Sequence, residues 1–233
     1  MILLVWDVDG TLVDVSGAGK RARLHAISDF ARFQDVGISD LVYETGGESD
    51  RVIMERALRV VGGKPVSDWP LVKDRYLSYL EQELTQNKGR TLPGVNELLT
   101  HIGTYPGFRQ VLGTGNVEQG AHKKLLRHGL AKYFQTGGFG DVHRSRPAIL
   151  KEAIANAKSL YQARFSDILI IGDTPKDASS ADALRLPCLL VATGQYSASE
   201  LKALGKPVVE SFNNLSATMR SIENALSLFP TDR

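Results

Sequence analysis

The chain has 233 residues, of which 42% are hydrophobic and 23% charged, a balance that suits one large soluble domain or a domain carrying an insertion. Its 28 Lys and Arg stand against 26 Asp and Glu, for a net charge of +2, and the basic residues are scattered, which argues against a nucleic-acid or membrane-surface partner. The single Cys188 excludes an intrachain disulfide; no apolar run is long enough to span a bilayer and the opening segment lacks a basic flank, so a reducing, cytoplasmic setting is expected.

Taken in order, Met1 to Trp6 is an uncharged apolar run that ends in Asp7-Val8-Asp9-Gly10-Thr11-Leu12. Apolar runs without alternation suit strands covered on both faces, as in parallel α/β sheets, and ligands of such sheets collect at the carboxyl ends of the strands. Period two puts Asp7 and Asp9 on one side, where two like charges need a cation or a shared proton. A plain polar strand exit would use the same residue types.

From Asp14 to about Thr91 the texture becomes helical. Leu24, Ile27, Phe30 and Ala31 give Lys20–Phe33 an amphipathic face; Thr45-Gly46-Gly47-Glu48-Ser49-Asp50 is a polar loop; Val52, Ile53, Ala57, Leu58 and Val61 restore a helical stripe up to Gly62-Gly63. Asp68 before Trp69-Pro70 predicts a capped helix through about Leu84. Ser16-Gly17-Ala18-Gly19 is a flexible hinge ahead of the first of these helices, and Lys20 and Arg21 either face a substrate phosphate across it or are solvated.

Beyond Leu92, a helix carrying Leu98, Leu99 and Ile102 precedes a strand, Arg109 to Gly113, that stops at Thr114-Gly115-Asn116 before a helix with Ala121, Leu125 and Leu126. A hydroxyl, a glycine amide and a helix start make a candidate anion site. Pro147 marks the first turn of a helix through Ala157, with Arg144 and Arg146 just ahead; the lone His143 has no partner at metal-ligand spacing. A further buried strand, Asp167 to Gly172, ends in Asp173-Thr174-Pro175-Lys176-Asp177, whose acids suit a hard cation such as Mg²⁺. Strands at Leu189 to Gly194 and Pro207 to Val209, a helix from Ser199 and an amphipathic helix from Asn214 to Leu228 complete the pattern. The fold expected is a doubly wound parallel α/β sheet, with residues 1–14 and 92–233 as core and 15–91 as an inserted helical subdomain.

The combination of Asp-x-Asp-Gly-Thr, Thr-Gly-Asn and Gly-Asp-x-x-x-Asp at successive strand ends resembles the haloacid dehalogenase superfamily, in the phosphoglycolate phosphatase-like branch whose helical cap follows the first motif. The resemblance implies Asp7 as nucleophile, Asp9 as general acid and base, and Thr114, Gly115 and Asn116 as phosphate-binding. It also implies an Mg²⁺ site from Asp7, the Asp9 carbonyl, Asp173 and Asp177, and a cap loop whose Glu48 and Asp50 reach the substrate. The family's third motif is a lysine or arginine ahead of a helix; this chain offers Arg146 or Arg144, and counting back from the helix favours Arg146. The activity implied is hydrolysis of a small phosphorylated metabolite through an aspartyl phosphate. A sugar-phosphate mutase of the same fold and a non-enzymatic phospho-acceptor domain are the alternatives, a metal-free dehalogenase being disfavoured by the presence of Asp9. Monomer and homodimer are both compatible with the sequence.

Overall fold

The computed structural model describes residues 1–30, 47–62 and 69–228. Six parallel strands form the sheet: β1 (Ile2–Trp6), β4 (Phe108–Gly113), β5 (Gly137–Gly138), β6 (Asp167–Gly172), β7 (Cys188–Val191) and β8 (Val208–Val209), in the order β5-β4-β1-β6-β7-β8. A short antiparallel ribbon, β2 (Val13–Asp14) with β3 (Arg90–Thr91), brings together the two chain crossings that bound the inserted helices.

The continuous apolar runs are explained by two separate cores. Leu4 and Trp6 of β1 lie in one with Leu112, Leu169, Ile171, Leu189 and Val191, while Leu3 and Val5 lie in the other with Val111, Ile170 and Leu190. Period-two alternation sends successive residues to opposite faces, and both faces are buried. Helices α6 (Arg146–Tyr161), α7 (Pro175–Ala183) and α8 (Ala198–Lys202) cover one face; α4 (Val95–Thr104) and α9 (Leu215–Ser227) cover the other, where the inserted helices also pack. The doubly wound expectation is met. Cys188 is fully buried between strands, and its thiol is pushed up by that burial.

Chain order reverses at β1, since β4 and β5 lie to one side and β6 to the other, so the switch point that favours a ligand crevice lies above β1. Trp6 pairs in register with Leu112 and Ile171, which levels the strand ends and brings Asp7, Thr114 and Asp173 to one crest.

The insertion contains α1 (Ala18–Ser28), α2 (Asp50–Gly62) and α3 (Trp69–Gln86). The face of α1 differs from the one expected. Ala18, Ala22, Arg23, Ala26 and Ile27 are buried and Leu24 only partly so, because α1 packs closely along α3 and small residues permit that approach. Ala31 to Gly46, Gly63 and the proposed cap Asp68 lie outside the described residues. In α5 (Glu118–Arg127) Leu126 is 71% exposed, so the buried stripe is Gly120, Ala121, Lys124 and Leu125 instead. The edge strand β5 and the β2–β3 ribbon, each two residues long, carry no apolar run by which to recognise them.

Candidate active site

A cleft of about 410 Å³ opens over the end of β1, and it is lined by Asp7, Asp9, Thr114, Gly115, Asn116, Arg146 and Asp173 together with residues of the insertion. Its floor is an acidic cluster in which ligand oxygens of Asp7, Asp173 and Asp177 lie within 4.8 Å of one another. Arg146, 4% exposed, bridges Asp7 Oδ1 at 2.9 Å and Asp177 Oδ1 at 2.6 Å. Three carboxylates against one guanidinium leave the charge unbalanced by two. The carboxyls therefore resist ionisation. Burial, with the fields of Asp7 and Asp177, pushes Asp173 well above the usual carboxylate range, and burial raises Asp7 despite Arg146. Hard oxygen donors that would carry an excess of two negative charges once ionised suit one divalent cation.

Glycines make this crowding possible. A Cβ on Gly194 would lie 1.8 Å from Asp173 Oδ2, and one on Gly10, whose φ is +81°, would lie 2.3 Å from the same atom. Asp177 is less available than its sequence position suggests. Its Oδ2 accepts from the Thr174 amide at 3.1 Å and the Thr174 hydroxyl at 2.7 Å in a capping box that starts α7.

Asp9, two residues on, is in different surroundings. Its Oδ2 accepts from Lys124 Nζ at 2.6 Å and Asn116 Nδ2 at 2.9 Å. Burial alone would raise its pKa, but Lys124 and Asn116 together hold it below the ordinary value.

The Thr-Gly-Asn segment departs from the expected anion site in an instructive way. Two of the helix-start amides are already occupied by the protein's own carboxylates: Val117 N–H donates to Asp50 at 3.1 Å and Glu118 N–H to Asp141 at 3.2 Å. Asn116 donates its amide to Thr114 Oγ1 at 2.8 Å as well as to Asp9, so its side chain is committed to orienting other groups. The Thr114 hydroxyl, which accepts from the side-chain amide and the backbone N–H of Asn116, keeps its own proton to donate, and among the described residues nothing accepts from Gly115 N–H.

Asp50 and Glu48 line the cleft, but both carboxylates are engaged. Asp50, 3% exposed, accepts from Arg23 at 2.5 Å and Tyr76 at 3.1 Å in addition to Val117, and its own N–H donates to the Gly115 carbonyl at 2.8 Å. Asp50 thus seats the insertion on the Gly115 loop, and Ser49, not Asp50, caps α2 through Val52 N–H. Glu48 pairs with Arg56 at 2.9 Å. Arg144 does not line the cleft; its guanidinium, 61% exposed, makes two 3.0 Å bonds to Glu55 of α2. Arg21 turns to Glu83 at 2.6 Å, and Lys20 lines the cleft. His143 lies 3.6 Å from Glu152.

Sequence reading missed Arg23 and Lys124. Each is a lone cation on the apolar stripe of an amphipathic helix, Arg23 between Ala22 and Ala26 and Lys124 between Ala121 and Leu125, and that misplacement was the available signal.

Residues 4–191 match the family model of the haloacid dehalogenase-like hydrolases. The chain belongs to this family. It is 27% identical over 211 residues, 89% of this chain and 88% of the other, to a protein of Dickeya dadantii (strain 3937) described as a probable phosphatase, IndB. Among solved structures, CbbY from Rhodobacter sphaeroides in complex with phosphate aligns with a TM-score of 0.69 at 19% identity, covering 91% of this chain and 95% of that one. A hydrolase from Pseudomonas syringae aligns with a TM-score of 0.71 at 19% identity, covering 95% and 99%. The last two similarities establish the shared fold. No helix among the described residues is long and apolar enough to cross a membrane.

Proposed function

We propose that this haloacid dehalogenase-like hydrolase is a Mg²⁺-dependent phosphatase of small phosphorylated metabolites that works through an aspartyl phosphate on Asp7. The observation that carries the reading is the separation of two neighbouring acids: Asp7 lies among carboxylates beside Arg146, whereas Asp9 is held by Lys124 and Asn116. The nucleophile needs an ionised carboxylate, which Arg146 and a cation among the acids would favour, and the proton carrier needs a fixed orientation, which Lys124 and Asn116 give Asp9. The phosphatase name of the Dickeya relative and the phosphate in the CbbY structure support phosphoryl chemistry.

In this reading an Asp7 oxygen attacks phosphorus as the bond to the leaving alkoxide breaks, and Asp9 gives that oxygen a proton. Water then attacks the phosphorus of the aspartyl phosphate, passes a proton to the Asp9 carboxylate, and releases inorganic phosphate with both acids restored. Thr114 hydroxyl, Gly115 N–H and Arg146 Nε, which is buried without a partner, are donors for the phosphoryl oxygens. Asp7, Asp173 and Asp177 would hold the cation, with the Asp9 carbonyl as a further oxygen ligand. Bound there, Mg²⁺ would offset the repulsion between these acids and a phosphate dianion. Residues 15–91 serve as a cap over the core formed by 1–14 and 92–233, and choose the leaving group.

A panel of phosphate esters assayed with Mg²⁺ and with chelator tests the proposal. Metal-dependent release of phosphate from at least one small ester is expected; no hydrolysis of any ester with Mg²⁺ would refute it. Turnover that requires a bisphosphorylated sugar would favour the mutase alternative.

A further inference from the structure

Lys124 is the one lysine buried among the described residues, at 1% exposure, and a buried ammonium is costly unless it is paired and hydrogen-bonded. Its partners form a closed ring. Nζ donates to Asp9 Oδ2 at 2.6 Å and to Asn116 Oδ1 at 2.5 Å, and Asn116 Nδ2 returns to the same Asp9 Oδ2 at 2.9 Å. The insertion covers the ring from outside. A Cβ on Gly19 of α1 would stand 3.3 Å from Nζ, so the helix approaches the ammonium closely because residue 19 is a glycine.

Two donors therefore converge on one oxygen of Asp9. The other, Oδ1, is buried and has no hydrogen-bond partner. A carboxyl oxygen that already accepts two bonds from N–H groups is the poorer place for a proton, in the acid form as much as in the base form. We propose that Lys124 is the positioning residue for proton transfer: with Asn116 it fixes the Asp9 carboxyl in one orientation and confines the travelling proton to Oδ1. This rests on the phosphatase reading above. When the phosphorus–oxygen bond breaks, the proton passes from Asp9 Oδ1 to the leaving oxygen, and the carboxylate left behind keeps its two bonds at Oδ2. Lys124 itself neither gains nor loses a proton.

The test uses leaving groups. An alkyl ester such as glycerol 2-phosphate expels a strongly basic oxygen and needs the proton, whereas p-nitrophenyl phosphate expels a stable phenolate and needs it little. Since kcat/KM reports the steps up to phosphoryl transfer, Lys124→Met should lower it at least about tenfold on the alkyl ester, part of the roughly 10²- to 10⁴-fold that general acid catalysis supplies, and less than about threefold on the aryl ester. In an Asp9→Asn background Lys124→Met should cost nothing further on the alkyl ester. If Lys124→Met melts well below the parent, Lys124→Gln, which is uncharged but still polar, should show a loss in the same direction, confined to the alkyl ester. Equal losses on both esters, or no loss on either, would overturn the inference and leave the phosphatase reading intact. A wild-type protein that hydrolyses no ester of the panel, these two included, would overturn both.

Discussion

The cleft sets two buried clusters of charge side by side, and they differ in whether their charges balance. Around Asp50, one carboxylate meets one guanidinium, a phenol and a backbone amide, and both oxygens are satisfied. Around Asp7, three carboxylates share one guanidinium, and burial drives Asp173 towards its protonated form. A balanced network is what a joint between two parts of a protein requires, since breaking it exposes buried charge. An unbalanced one is a standing demand for a cation and a ligand, and such demands gather at functional sites.

The largest effect expected is on chemistry. Asp7→Asn should reduce turnover of any substrate by at least about a thousandfold, because an amide cannot act as the nucleophile, and should leave the metal-free melting temperature equal or higher, because it removes charge from an over-charged cluster. A variant that is inactive because it has unfolded would break the comparison. Asp50→Ala should do the reverse: unfolding in urea should reveal a loss of about 3 to 5 kcal/mol, the cost of leaving Arg23 buried and unpaired. Asp50→Ala with parental stability and altered substrate preference would return Asp50 to the substrate-contacting role expected from its loop.

How much of this was legible in the sequence follows the same division. Asp7, Asp9, Thr114, Asp173 and Asp177 stand at the ends of apolar runs, and a strand end in a parallel sheet is a position that pattern alone locates. Arg146 was preferred to Arg144 by its distance from the helix start, and it is Arg146 that reaches Asp7. The Asp50 network was not legible, because its members come from α1, the first residue of α2, α3 and the residue that precedes α5, and no local periodicity records contacts between residues 27 and 67 positions apart. Asp50 was therefore assigned to a substrate and the helix start to a phosphate, when Asp50 and the Val117 amide satisfy each other and the Glu118 amide is taken by Asp141. Lys124 was passed over for a related reason. A cation on a helix reads as solvated until its neighbours, here Gly19 and Asp9, are brought to it.

Smaller effects sharpen the contrast. Mg²⁺ at about a hundred times its dissociation constant should stabilise the protein by roughly 2.7 kcal/mol, read as a rise in melting temperature reversed by chelator, and Asp173→Asn should abolish most of that rise. An equal rise in the Asp173 variant would place the ion elsewhere. Arg144→Ala should matter least: its exposed pair with Glu55 is expected to contribute about 0 to 1 kcal/mol, and steady-state kinetics should stay within about twofold of the parent. A large loss of phosphate-ester affinity in that variant would return Arg144 to the phosphate site.

Whether Asp7 becomes covalently phosphorylated can be read by rapid acid quench of the enzyme during turnover, followed by peptide mass spectrometry. One added phosphoryl group is expected on the peptide that contains Asp7, absent from Asp7→Asn and accumulating in Asp9→Asn with an aryl ester, whose leaving group departs without the proton while hydrolysis of the intermediate lacks its base. Steady turnover with no phosphoryl group trapped on any peptide, or with the group on a residue other than Asp7, would contradict it.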